Sequence, residues 1–332
     1  MTLSSCPVPL VEQHDLVMLD LDGVVYRGAE PVPHAVAALE QARSGGTRLA
    51  YVTNNASRTA ATAAEHLTDL GVPEVGPADV VTAAQAVVDL MAADLPHGAR
   101  VLVVGGPGLL EPLAEAGLQA VRSADDDPVA VVQGFHPDVA WRDLAEATYA
   151  VTAGARFYAS NLDLTVPTAR GVAPGNGSLV GLVSTVTGVD PTVAGKPEPP
   201  LLRSTIARCE GSTPLMVGDR LDTDILGAAN VGVPSLAVLT GLSDPQMLAD
   251  AEGVLRPSFV APDLRGLLVP HPEVTIDGDL ARCGSAEARL DGDRVQVRGD
   301  DELHRLRAAV ALAWACRDGS GRRVRLDGMM AP

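Results

Sequence analysis

Aromatic residues make up only 3% of this sequence. The interior therefore has to be built from alanine, valine and leucine, and the chain offers no platform on which nucleic-acid bases could stack. Positive charge is also scarce. Twenty-five basic residues against 42 acidic ones leave a formal net charge of −17, which repels nucleic acid and anionic lipid and argues against both as partners. Cysteine is sparse and scattered: Cys6, Cys209, Cys283 and Cys316 form no Cys-x-x-Cys pair. They read as reduced thiols of a cytoplasmic protein, not as a disulfide framework. The first residues lack a basic start followed by an apolar run, so no signal peptide is expected. No stretch approaches the roughly 20 apolar residues that span a bilayer, so membrane insertion is not expected either.

What is present is 332 residues that are 46% hydrophobic and 20% charged, a globular composition long enough for two or three domains. Short apolar runs alternate with amphipathic helical stretches, the pattern of an α/β protein with a mostly parallel sheet. Strands are expected at Val17–Leu21, Arg48–Val52, Arg100–Val104, Leu215–Gly218 and Pro234–Val238. Helices are expected at His34–Arg43, Arg58–Leu70, Thr82–Asp94 and Asp222–Asn230, and Gly171–Gly177 reads as a turn-rich loop followed by a helix from Ser178. From about Pro270 the composition shifts toward Arg, Asp and Gly. That tail reads as short strands, a helix over Asp301–Cys316 with Leu303, Leu306, Val310 and Trp314 on one stripe, and a last strand at Arg322–Leu326.

Four sites carry chemistry-bearing residues. Asp20-Leu21-Asp22-Gly23 closes an apolar strand, and ligands of open α/β sheets bind at the carboxyl ends of strands. Two acids there can serve as nucleophile and proton carrier, or simply solvate a turn. Thr53-Asn54-Asn55 closes another strand; its hydroxyl, amides and backbone N–H groups can receive phosphate oxygens or cap the next helix. In Gly195-Lys196-Pro197 the lysine is held between two conformationally special residues, either beside clustered carboxylates or in a surface turn. Asp219, Asp222 and Asp224 follow the strand Leu215–Gly218, a hard-oxygen cluster suited to Mg²⁺, with Asp222 also read as a helix cap.

The runs DLDGVVYRG, VTNNASR, GKPEP and GDRLDTDI occur in this order between Asp20 and Ile225, within a resemblance that covers residues 15–268. Together they resemble the haloacid dehalogenase superfamily of phosphatases, in the branch of the nitrophenyl, phosphoglycolate and glycerol-3-phosphate phosphatases. The resemblance implies a Rossmann-like core with a parallel sheet (1–81 and 187–268), an inserted α/β cap domain (82–186) and a small α+β C-terminal extension (269–332). It implies Asp20 as nucleophile and metal ligand, and Asp22 as general acid and base with its backbone carbonyl on the metal. It further implies Asp219 as the third protein ligand, Asp224 behind the metal shell, Thr53, Asn54 and Asn55 on the phosphoryl oxygens, and Lys196 paired with Asp20 and phosphate. The cofactor implied is Mg²⁺.

By the same resemblance the cap excludes water and selects the substrate, with Asn161, Asp163 and the loop Thr165–Gly171 near its non-phosphate end. That loop carries no aromatic residue, and Arg170 is its only cation, which favours a small phosphorylated metabolite. Glycerol 3-phosphate is the expected substrate; phosphoglycolate, nucleotides and pyridoxal phosphate are the alternatives, and a non-catalytic regulatory protein is a more distant one. A homodimer through the cap is expected. The tail resembles a fragment of an acetyltransferase-type fold, but Gly319-Ser320-Gly321 follows a helix where a pyrophosphate loop precedes one. A structural or docking role is expected for it.

Overall fold

Strands whose residues are buried on both faces organise the chain, as the unbroken apolar runs require. The computed structural model describes residues 2–168 and 170–326. They divide into two compact units. The first gathers the described parts of Met1–Ala50, Leu70–Pro73 and Cys209–Pro332, the second Tyr51–Asp69 and Glu74–Arg208.

In the first unit the strands Phe259–Ala261, Ser235–Val238, Pro214–Gly218 and Leu16–Leu19 lie side by side in that order, all parallel. Met18 stands opposite Met216 and Leu236 opposite Phe259. Parallel neighbours put all their carboxyl ends at one edge of the sheet, which is where Asp20 and Asp219 emerge. The Arg48–Thr53 strand begins in this unit, with Arg48 N–H donating to Asp15 O at 3.3 Å.

The same unit contains the tail. Val274–Asp277, Leu280–Cys283, Ala286–Asp291 and Arg294–Arg298 form an antiparallel sheet, with Arg325–Leu326 added parallel at its edge. Side chains alternate as a half-buried sheet demands: Ala281, Cys283, Ala288 and Val295 are buried, while Arg282, Glu287, Arg289, Gln296 and Arg298 are exposed. The C-terminal helix runs over Glu302–Ser320, longer than expected, and is covered on two sides. Leu306, Val310 and Trp314 pack with Leu221, Ile225, Leu239 and Leu248. Ala308, Ala309, Leu312 and Ala313 pack with the antiparallel sheet. The expected stripe is present, but small alanines on the opposite side bury that side as well.

The second unit has its own parallel sheet, ordered Thr192–Val193, Arg156–Ala159, Ala130–Gln133, Arg100–Val104, Gln119–Val121. Helices Trp141–Thr152 and Asn176–Thr187 pack on it and on each other. Here too Thr53, at the end of its strand, pairs in parallel with Thr82. Thr192–Val193 pairs with Arg156–Ala159 although it lies beyond residue 186, and the tail shares a core with residues 221–260.

One local reading is corrected. Gly171–Gly177 is not a loop: Gly171–Pro174 pairs antiparallel with Thr165–Thr168, and the next helix starts at Asn176. The ribbon is mostly exposed, so no hydrophobic alternation marked it.

Candidate active site

In the first unit, Asp20 leaves its strand with its N–H on Val217 O at 2.9 Å, so the neighbouring parallel strand sets its position. Leu21 is buried and its carbonyl accepts from Val25 N–H at 2.9 Å. That turn brings Asp22 out to the surface, where the Tyr26 hydroxyl lies 3.5 Å from Asp22 Oδ2. Asp219 and Asp224 are nearly sealed from solvent, at 2% and 1% exposure. Ligand oxygens of Asp20, Asp219 and Asp224 all lie within 4.8 Å of one another.

Each acid of this group is held by backbone. Asp219 Oδ2 accepts from Leu242 N–H at 2.7 Å, and Ser243 N–H donates to Asp219 O at 3.0 Å. Arg220 N–H donates to Asp224 Oδ2 at 3.1 Å. Glycines leave the space: a Cβ on Gly218 would stand 2.1 Å from Asp224 Cβ, and one on Gly23, whose φ is +88°, would stand 2.6 Å from Asp219 Oδ2.

The segment after Asp219 winds as one π-helical turn, Leu221–Ile225, before the α-helix Leu226–Val231. Such turns are rare and concentrate at functional sites. Asp222 does not cap it. Its carboxylate takes two hydrogen bonds from the Arg220 guanidinium, at 3.1 and 2.8 Å, and these hold its pKa below the ordinary carboxylate range. The wider turn points Asp224 inward while Asp222 stays outside.

Three carboxylates converging, two of them buried, are mutually repulsive unless a cation lies among them. The donor set is all oxygen, with no His or Cys, and suits a hard divalent ion such as Mg²⁺. The residues fit the metal that the sequence motifs imply.

In the second unit, Thr53, Asn54, Asn55, Asn161, Asp163 and Lys196 form one hydrogen-bonded knot. Asn54 is its centre. Asn54 Oδ1 accepts from Lys196 N–H at 2.8 Å, while Nδ2 donates to Lys196 O at 2.9 Å and to Asp163 Oδ2 at 3.1 Å. Its backbone carbonyl accepts from Asn161 Nδ2 at 2.7 Å, and Asp163 N–H donates to Asn161 Oδ1 at 3.1 Å. Both N–H groups of the Asn54 side chain are thus engaged within the protein. Lys196 is 3% exposed, with Nζ 3.4 Å from Val52 O. Gly195 is required beside it, because a Cβ there would lie 2.6 Å from Ser160 O and 2.7 Å from Asn54 Oδ1. Thr53 Oγ1 accepts from Asn55 N–H at 3.0 Å, and Asn55 Oδ1 accepts from Ser57 N–H at 2.9 Å, folding the strand end into a tight turn. Arg170 is exposed at the tip of the hairpin.

Sequence reasoning missed two contributors. The segment Thr240-Gly241-Leu242-Ser243 embraces Asp219, and the Thr240 hydroxyl donates to Gly23 O at 2.6 Å. It follows the buried strand Ser235–Val238, and its place after a strand end was the available signal. Asn176, 1% exposed, donates to Asn161 O at 2.8 Å; nothing local marks it.

The sequence profile of the haloacid dehalogenase-like hydrolases matches residues 17–119, and a second profile, described as HAD-hydrolase-like, matches residues 193–267. The chain belongs to the haloacid dehalogenase-like hydrolases. It is 44% identical over 319 residues to D-glycerol 3-phosphate phosphatase of Mycobacterium tuberculosis, covering 93% of this chain and 88% of that protein. A crystal structure of glycerol phosphate phosphatase from the same organism, in complex with magnesium, superimposes with a TM-score of 0.84 at 42% identity over 96% of this chain and 94% of that one. The 4-nitrophenylphosphatase of Thermotoga maritima superimposes with a TM-score of 0.72 at 29% identity, over 78% of this chain and 98% of its own.

Proposed function

We propose that this chain is a Mg²⁺-dependent phosphatase that hydrolyses a small phosphate monoester, glycerol 3-phosphate, to glycerol and phosphate through a phospho-aspartate. The observation that carries this reading is the convergence of Asp20, Asp219 and Asp224 at the carboxyl ends of two adjacent parallel strands. The substrate is supported by the named activity of the M. tuberculosis relative and by the lack of aromatic residues in Thr165–Gly171.

Asp20, Asp219 and the Asp22 backbone carbonyl would hold Mg²⁺, with Asp224 steadying the cluster from behind. When bound, the ion neutralises charge between carboxylate and phosphoryl oxygens. An Asp20 oxygen attacks phosphorus as the ester P–O bond breaks, and Asp22, exposed where substrate arrives, protonates the departing alkoxide. Asp22 then takes a proton from water, whose oxygen attacks the acyl phosphate, releasing phosphate and restoring Asp20. Thr53, the Asn54 and Asn55 backbone and Lys196 would bind the phosphoryl oxygens, and Asn54 would position Lys196. Residues 82–186 would act as the cap, with Asn161 and Asp163 toward the substrate's hydroxyl end.

The cap would also carry a homodimer contact. Trp141, Tyr149, Leu182 and Val186 are exposed apolar side chains on its two mutually packed helices. A cytoplasmic location is supported by the buried thiols Cys6 and Cys283. Among the described residues, no helix is long and apolar enough to cross a membrane.

The test is a phosphate-release comparison of glycerol 3-phosphate, phosphoglycolate, nucleoside monophosphates and pyridoxal phosphate, with and without Mg²⁺. Glycerol 3-phosphate is expected to show the highest kcat/KM, and only with Mg²⁺. A tenfold preference for a competitor overturns the substrate. Full turnover after exhaustive chelation overturns the metal.

A further inference from the structure

The C-terminal helix is built into the back of the carboxylate cluster. Leu221 and Ile225, from the turn that carries Asp224, form one buried cluster with Leu239, Leu248, Leu306, Val310 and Trp314. Hydrogen bonds reinforce the same joint. Trp314 Nε1–H donates to Leu248 O at 2.8 Å, wholly buried, and Arg317 Nη1 donates to Asp250 O at 2.9 Å. Gln246 bridges to the last strand, with Nε2 donating to Val324 O at 2.9 Å and Oε1 accepting from Leu326 N–H at 3.0 Å.

Gln246 and Leu248 lie in the short helix Pro245–Ala249, whose cap residue Asp244 directly follows Ser243. Leu242 and Ser243 are the residues whose N–H groups hold Asp219. A helix of five residues has almost no stability of its own. Its place, and that of the segment before it, must come from what it is packed and bonded to.

We propose that the C-terminal extension is a positioning element for the metal site, with Trp314 and Gln246 holding residues 240–248 so that the Leu242 N–H stays aimed at Asp219. This rests on the Mg²⁺ reading above. Clustered carboxylates without a cation tend to spread, and a preformed donor set binds metal more tightly than one that must first be ordered. Loosening the clamp lowers the fraction of molecules that are competent to bind, and apparent affinity falls by that fraction. Chemistry in the loaded enzyme is unchanged.

The experiment is calorimetric Mg²⁺ titration of metal-free protein, paired with kinetics at saturating Mg²⁺. The variants are Trp314→Phe, which keeps a ring but loses the N–H, and Gln246→Met, which keeps bulk but loses both bonds to the last strand together with the one that Nε2 donates to Asp250 Oδ2 at 3.2 Å. Leu39→Ala, a buried position in the helix Ala35–Ser44, controls for general destabilisation. The expected result is a Kd for Mg²⁺ raised at least fivefold in Trp314→Phe and Gln246→Met, with kcat at saturation within twofold of wild type, while Leu39→Ala lowers Tm and leaves Kd alone. A Kd within twofold of wild type in both clamp variants overturns the proposal and leaves the Mg²⁺ reading standing. A wild-type protein that takes up no Mg²⁺ overturns both.

Discussion

Gly241 stands so close to Asp219 that a Cβ added to it would lie 1.8 Å from Asp219 Oδ2, the oxygen that the next residue, Leu242, holds at 2.7 Å. Gly241→Ala must therefore move either the carboxylate or the segment. An angstrom of misplacement at a reacting site costs on the order of 100-fold in rate. We expect kcat/KM to fall by about that factor, with a higher Mg²⁺ requirement. Activity within threefold of wild type would show that Asp219 does not need this geometry.

Asp20→Asn replaces the proposed nucleophile with an amide of the same shape. Turnover should drop by at least about a thousandfold, because the amide does not attack phosphorus. Stability should move the other way. Removing one of three clustered negative charges relieves repulsion in the metal-free protein, so its Tm should rise. Thermal unfolding in EDTA, alongside phosphate release, checks both halves; a tenth of wild-type turnover remaining would refute the covalent route.

Asn54 links the backbone of Lys196 to Asp163 through every polar atom of its side chain. Asn54→Ala leaves the Lys196 N–H and C=O without their partner, at about 2–3 kcal/mol. Asn54→Asp should be worse at neutral pH, since it sets a second carboxylate against Asp163 and against the Lys196 carbonyl. Urea unfolding at pH 7 ranks the two; equal stability of Asn54→Asp and wild type would contradict the hydrogen-bond pattern.

His271 provides the pH test. It is fully buried, its Nδ1 accepts from Arg307 Nη1 at 3.2 Å, and its Nε2 therefore carries the proton toward Gly266 O at 2.8 Å. Burial, with the Arg307 charge alongside, lowers its pKa from 6.5 to about 4. The folded value lies below the unfolded one, so between these values the unfolded chain binds more protons and stability falls as pH drops. From pH 7 to pH 5 this group alone removes about 2 kcal/mol. Urea midpoints at the two pH values should diverge less in His271→Gln than in wild type; identical pH slopes would mean that His271 is not held neutral.

Buried parallel strands were legible because burial on both faces demands an unbroken apolar run, and Leu16–Leu19, Arg100–Val104 and Pro214–Gly218 each show one. The acids Asp20 and Asp219 were legible for a related reason: a charged residue directly after such a run is conspicuous. The hairpin Thr165–Pro174 was not, since an exposed ribbon leaves no apolar signature. Nor was the wider turn at Leu221–Ile225, which shares its acidic start with an ordinary capped helix.

The amino-acid sequence by itself determined the strand ends and the kind of chemistry placed on them, because both are properties of a few consecutive residues. Tertiary structure decided which donors meet. Gly241 and Leu242 reach Asp219 from more than twenty positions away only because Ser235–Val238 pairs with Pro214–Gly218. Asn54 meets Lys196 across 142 positions of chain. The tail's helix became the back of the carboxylate cluster because its Leu306, Val310 and Trp314 stripe found the apolar underside of residues 221–248. A stripe of apolar residues specifies that a helix is covered; what covers it depends on the shape of the rest of the chain.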